Sequence, residues 1–385
     1  MPNNLLLINS APETDCFFND LSAAILSAQE VKFTLGGKKT GTQKKLRLFG
    51  PGLVPDPDSG KIPARQKLLF WLCLPANLLA LAWQIFFFRW RYPIKNILAW
   101  QLREKILLGL LGRTLRLSTT WCLHPDWPEN GLGRVEKRLI ISLSQKVKMI
   151  YFTEETANKA LTFGYPDKNL CSAPFAADGG RELSQQTIFN SLAQGEKTLE
   201  RKKFFTIGLA PLSPRLEKTD VLFQAVALCQ AMIARCQIIV AGDGGEGKTR
   251  RQWLAKKIGL ESLVWFVGET GRRRKWLPGF DLYFPLSPAP GFNDLHWTAA
   301  ALLAGAPALA VENSGFNSLI KPGLTGWLVK SARAEELAQA IKQAAADRRR
   351  RPEISRQTAQ AAREIFALEK SAAEVKNICA TPIKL

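Results

Sequence analysis

A chain of 385 residues exceeds the roughly 250–300 that one hydrophobic core holds, so two domains are expected. With 46% hydrophobic and 22% charged residues, the composition excludes a collagen-like or disordered protein. A formal net charge of +20 calls for an anionic partner, and the basic residues are scattered without interleaved aromatic rings, so an anionic membrane surface or a phosphorylated substrate fits better than nucleic acid.

In chain order, short apolar runs at 5–10, 31–35, 97–100, 119–124 and 149–153 alternate with helical periodicities at 21–28, 102–115 and 133–143. Such alternation predicts a parallel sheet covered on both faces. Residues 36–61, rich in Gly, Pro, Lys and Asp, read as an exposed loop. Residues 68–88 are uncharged and long enough to span a bilayer, but Pro75, Asn77 and Gln84 interrupt them, and Arg65, Lys67, Arg89 and Arg91 flank both ends alike. The expectation is a helix of the first domain with a membrane-facing side; a true span is the alternative. The first domain therefore covers 1–180, and a polar linker follows at 181–203. A second alternation (204–209, 221–234, 237–241, 251–258, 264–267, 282–286, 297–304, 308–311) predicts another doubly wound domain over 204–350. From Pro352 onward, apolar residues at helical spacing predict one or two closing helices, a terminal segment at 351–385.

Seven cysteines without a CxxC pair or a histidine at ligand spacing suggest reduced thiols and no metal site. Residues 1–10 have no basic segment ahead of their apolar run, so no signal peptide is expected. Both features point to a cytoplasmic protein, peripheral on the inner face of a membrane.

Three strand ends in the second domain carry residues suited to phosphate. Ile207-Gly208-Leu209 precedes a loop with Arg215 and Lys218; Val240 and Ala241 lead into Gly242, Asp243 and Gly244; and Pro290-Gly291-Phe292-Asn293 precedes a helix whose positive end can hold a diphosphate. Residues 242–249 also satisfy the GxxxxGK[ST] pattern of a P-loop NTPase. Asp243 and Glu246 would place negative charge in that cradle, which argues against the match.

These segments continue in a fixed order: Phe266-Val267-Gly268, Phe280-Asp281-Leu282-Tyr283, Ala304-Gly305-Ala306-Pro307, Ser314-Gly315 and Gly323-Leu324-Thr325-Gly326. In this order they resemble the retaining GT-B glycosyltransferases of the group 1 type. The resemblance implies an α/β fold of two Rossmann-like domains. It also implies transfer, with retention, from a nucleotide diphosphate sugar to a lipid-linked or lipopolysaccharide-type (polysaccharide) acceptor, with no cofactor beyond the co-substrate. Carried over residue by residue, it names His124 as a catalytic candidate; Asp294 is a second one, as a substitute for a carboxylate the family has elsewhere. Its donor-binding candidates are Gly208, Arg215, Lys218, Gly242, Gly244, Phe292, Asn293, Glu312 and Gly315. The chain departs from the pattern at the family's paired glutamates, where Pro290 and Ala300 stand, and at the Gly-Arg of the first loop, which is Gly208-Leu209. Either Asp294 or Glu312 takes over a carboxylate role, or the chain is a non-catalytic GT-B protein that binds a membrane or a partner.

Overall fold

The computed structural model describes residues 4–9, 21, 32–34, 44–45, 62–91, 94–125, 132–177, 204–209, 219–233, 235–241, 245–267, 273–286, 291–312, 315–346 and 350–381. The linker expected at 181–203 and most of the helix expected at 21–28 lie outside them. Two compact units form, one from Met1–Phe175 with Leu368–Leu385, the other from Ala176–Ala367.

The first unit holds a seven-stranded sheet: β1 (Asn4–Asn9), β2 (Lys32–Thr34), β3 (Lys44–Lys45), β4 (Ile94–Ala99), β5 (Ser118–Cys122), β6 (Lys148–Tyr151) and β7 (Leu170–Ser172), in the order β3-β2-β1-β4-β5-β6-β7. The described pairings in it are parallel. Strand β3 lies inside the stretch expected to be loop; its two lysines sit at the sheet edge, where charge blocks further pairing. Helices α1 (Ala64–Arg91), α2 (Leu102–Thr114), α3 (Arg134–Ser144) and α4 (Glu154–Phe163) cover the strands. Thr153 caps α4 by accepting the Thr156 N–H, and Gly164 ends it in the left-handed conformation (φ 107°). Ile97, Leu107, Trp121, Ile140 and Met149 form the core with Phe70, Leu81 and Ile85 of α1.

The second unit repeats the plan with β8 (Phe205–Leu209), β9 (Cys236–Val240), β10 (Val264–Phe266), β11 (Leu282–Tyr283), β12 (Ala308–Val311) and β13 (Gly326–Val329), ordered β10-β9-β8-β11-β12-β13 and parallel. Every residue of β8 is buried, as befits a strand covered on both faces. Its helices are α5 (Thr219–Cys229), α6 (Gly245–Ile258), α7 (Phe292–Leu303), α8 (Ala334–Ala346) and α9 (Arg351–Ile365).

The terminal segment expected as one piece divides between the units. Helix α9 packs on α7, whereas α10 (Leu368–Ala380) packs on β4, β5 and β6 of the first unit. Its buried face, Ser371, Ala372, Val375, Ile378 and Cys379, has helical spacing. The buried Lys148 ammonium fixes its end by donating to the Ile378 and Thr381 carbonyls.

Candidate functional site

In the second unit the strand order reverses between β8 and β11, and in a doubly wound sheet that reversal opens a crevice beyond the carboxyl ends. Strands β8 and β11 are parallel neighbours and end at this point, β8 ahead of residues 210–218 and β11 ahead of α7 in the chain. Arg215, Lys218, Gly242 and Gly244 themselves lie outside the described residues.

Helix α7 begins at Phe292 rather than near Trp297. Gly291 is extended (φ −84°, ψ 178°), and the first turn closes with Leu295 N–H on Gly291 O at 3.0 Å. Asp294 explains the early start: its Oδ2 accepts the Gly291 N–H at 3.0 Å, holding the chain in a helical entry. The expected catalytic carboxylate is thus a helix cap, and it puts negative charge at the positive end of the dipole. Phe292 and Asn293 belong to the first turn rather than to a preceding loop. The Phe292 ring is buried, so what that residue can offer a diphosphate is its backbone N–H.

Gly208 has a packing role. It sits within β8, its carbonyl accepts the Phe284 N–H at 3.0 Å, and a Cβ there would fall inside the Phe280 ring. Gly208→Ala should therefore lower stability by about 2 kcal/mol in urea denaturation, whatever it does to ligand binding; an unchanged midpoint would contradict this packing.

Glu312 follows β12 on the same sheet edge; its N–H binds Val329 O at 2.7 Å and its side chain is exposed. Gly315 has φ 82°, a left-handed conformation that glycine adopts at little cost. Of the two carboxylates proposed as substitutes, Glu312 is the exposed one. Ala300 is buried in α7, and Asp294 is the only acidic residue of that helix.

The P-loop match does not fold as one. Gly245 to Lys248 already belong to α6, so the second half of the motif is helix where a phosphate cradle of that kind needs loop.

In the first unit, His124 follows β5 and Trp100 follows β4, both at carboxyl ends. His124 Nε2 lies 3.0 Å from Trp100 O, which can only accept, so Nε2 carries the proton. The two rings meet edge to face at 5.4 Å. Burial, then the nearby Lys105 cation, pushes the His124 pKa down to about 3. Sequence reasoning missed the buried polar group around it. Glu104 caps α2 by accepting the Gln101 N–H at 2.8 Å, and Arg103 reaches Asn77 Oδ1 at 3.5 Å. Charges in a first helical turn normally face water, so no periodicity signals their burial. His296 is likewise buried, edge to face with Trp297 inside α7.

Arg351, at the start of α9, is also engaged. Its guanidinium lies 4.7 Å from the Phe205 ring centroid and 3.9 Å from Asp281, whose carboxylate accepts the Thr206 N–H at 2.8 Å.

Residues 201–347 match the family model "Glycosyl transferases group 1". A stretch of 145 residues is 29% identical to EpsD of Bacillus subtilis, a glycosyltransferase by provisional assignment; the match spans 37% of this chain and about a third (36%) of that relative. Among solved structures, Anabaena HepE in complex with UDP-glucose superposes with a TM-score of 0.66 at 17% identity, covering 97% of this chain and 99% of that one. WaaG, a glycosyltransferase involved in lipopolysaccharide biosynthesis, does so with a TM-score of 0.62 at 11% identity over 98% and 99%. Likeness at such low identity speaks for the fold, and the family match speaks for the second unit. With two doubly wound units of this order, the chain has the fold of the GT-B glycosyltransferases, and residues 201–347 of its second unit are similar to the group 1 glycosyl transferases.

Proposed function

We propose that this protein transfers a sugar, with retention, from a nucleotide diphosphate sugar to a lipid-linked or lipopolysaccharide-type acceptor, and that it works in the cytoplasm against a membrane. The observation that carries the reading is the strand-order reversal of the second unit, where β8 and β11 lie side by side; in the chain β8 is followed by the segment bearing Arg215 and Lys218, and β11 by the start of α7. As the glycosidic bond breaks, the departing diphosphate gains charge. Cations and fixed N–H dipoles at that point stabilise it because their orientation needs no rearrangement. The exposed Glu312 is the carboxylate best suited to the donor sugar or ribose. HepE binds UDP-glucose, which supports a nucleotide sugar here.

Calorimetry with UDP, GDP and ADP tests the reading, and affinity on the order of micromolar for one of them is expected. One observation favours a second reading, a GT-B protein that binds without transferring. Neither glutamate position of the family holds an acid, and the acid of α7 is committed to capping. Silence toward all three nucleotides would decide for it.

Asp294→Asn separates cap from catalyst. The amide oxygen can still accept the Gly291 N–H, while the charge opposing a diphosphate disappears. Affinity for the preferred nucleoside diphosphate should rise about fivefold with transfer retained, since a charge at a helix end is worth about 1 kcal/mol. A loss of transfer on the order of a hundredfold would return Asp294 to catalysis.

A further inference from the structure

Helix α1 is apolar on every side, and only one side is covered by protein. Ala64–Phe87 is long and apolar enough to cross a membrane, yet only 22% of its apolar window is buried. Phe70, Asn77, Leu81 and Ile85 are buried, three of them in the core of the first unit. At about 3.6 residues per turn, Leu68, Leu72, Leu79, Trp83, Phe86 and Trp90 fall within roughly 60° of arc on the opposite side. All six are exposed, from 53% upward for the wider group that includes Phe87 and to 85% at Trp90. The stripe runs for about 33 Å.

The buried side argues against a transmembrane span, because Phe70, Asn77, Leu81 and Ile85 are seated against protein along the helix. The charges choose among the remaining occupants. The 28 residues of α1 include no Asp or Glu, while Arg65 and Arg89 are exposed near its two ends, Arg89 donating one N–H to Leu115 O at 2.6 Å with its charge unpaired by any acid of the helix, and Lys67 stands beside the first. Two copies docked stripe to stripe would bring these cations together on molecules that each carry +20. An anionic lipid surface would neutralise them instead. Leucines over the first half of the stripe and aromatic rings over the second, with basic residues near both ends, suit a helix lying in a bilayer interface.

We propose that α1 docks this protein on anionic membranes, in the plane of the interface, with the stripe from Leu68 to Trp90 set among the acyl chains and Arg65, Lys67 and Arg89 at headgroup level. The inference is independent of sugar transfer, because lipid binding is read without any nucleotide sugar present.

Flotation of the full chain with phosphatidylcholine vesicles, with and without phosphatidylglycerol, tests it. The protein should float with the anionic vesicles and be released by alkaline carbonate. The pair Trp83→Glu and Trp90→Glu should weaken binding about tenfold or more with unchanged far-ultraviolet circular dichroism, since both side chains are exposed. The pair Arg65→Gln and Lys67→Gln should weaken binding to anionic vesicles about tenfold and leave the weak binding to phosphatidylcholine alone unchanged. Vesicle binding unaltered by both pairs overturns the proposal, as does wild-type protein that fails to float. Resistance to carbonate would return α1 to a span. A lipid-free dimer that the tryptophan pair dissolves would assign the stripe to a second copy.

Discussion

Lys148→Met should lower the thermal midpoint of the first unit by roughly 6–10 °C, the equivalent of about 3 kcal/mol. Lys148 lies on β6, where its ammonium donates to Ile378 O and Thr381 O at the end of α10. Burial lowers its pKa while the neighbouring thiols Cys171 and Cys379 oppose that shift, so these carbonyls are the main compensation for a desolvated cation. Methionine fills the volume but leaves the buried carbonyls without their donor. Because α10 returns to the first unit from the far end of the chain, its release also removes Val375 and Ile378 from the face of that sheet. Scanning calorimetry of Lys148→Met against Lys146→Met, an exposed neighbour, measures the difference. A midpoint within about 1 °C of the control would mean that apolar packing alone holds α10.

The strands of the second unit were legible because parallel strands buried on both faces are nearly continuous apolar runs: residues 204–209 and 308–311 mark β8 and β12 to within a residue. Helix starts were less legible. Residues 251–258 show the apolar part of α6, but its first turn, Gly245 to Lys248, is glycine and charge and reads as loop. Helix α7 is likewise hidden behind Gly291, and only the Asp294 cap reveals where it begins. The division of the tail between two units has no sequence signal, since α9 and α10 both show ordinary amphipathic spacing and what separates them is a partner, not a pattern. At the candidate site, the order of segments pointed to the sheet edge where β8, β11 and β12 end. It did not give the individual roles: Gly208 answers to Phe280, and Asp294 answers to Gly291.

Acid should unfold the wild-type protein earlier than a His124→Gln variant. His124 binds its proton in the folded chain only near pH 3, against about 6.5 when unfolded. Between those values the unfolded state holds the extra proton. Stability therefore falls as pH drops below about 6.5, by up to about 1.4 kcal/mol per pH unit, until the folded group also titrates. Glutamine can keep a donor toward Trp100 O but takes up no proton, so the variant lacks this component. Relative to neutral pH, the wild type should lose about 3 kcal/mol more than the variant by pH 4.5, read from urea denaturation at each pH. Parallel curves would mean that the imidazole reaches water or a carboxylate. The same shift limits what His124 can do in a reaction. At neutral pH it carries one proton, committed to Trp100 O, and has too little proton affinity to act as a general base. Any contact it makes with a sugar is then a hydrogen bond that positions a hydroxyl, and sugar-transfer rates should show no ionisation near pH 6.5 that His124→Gln abolishes.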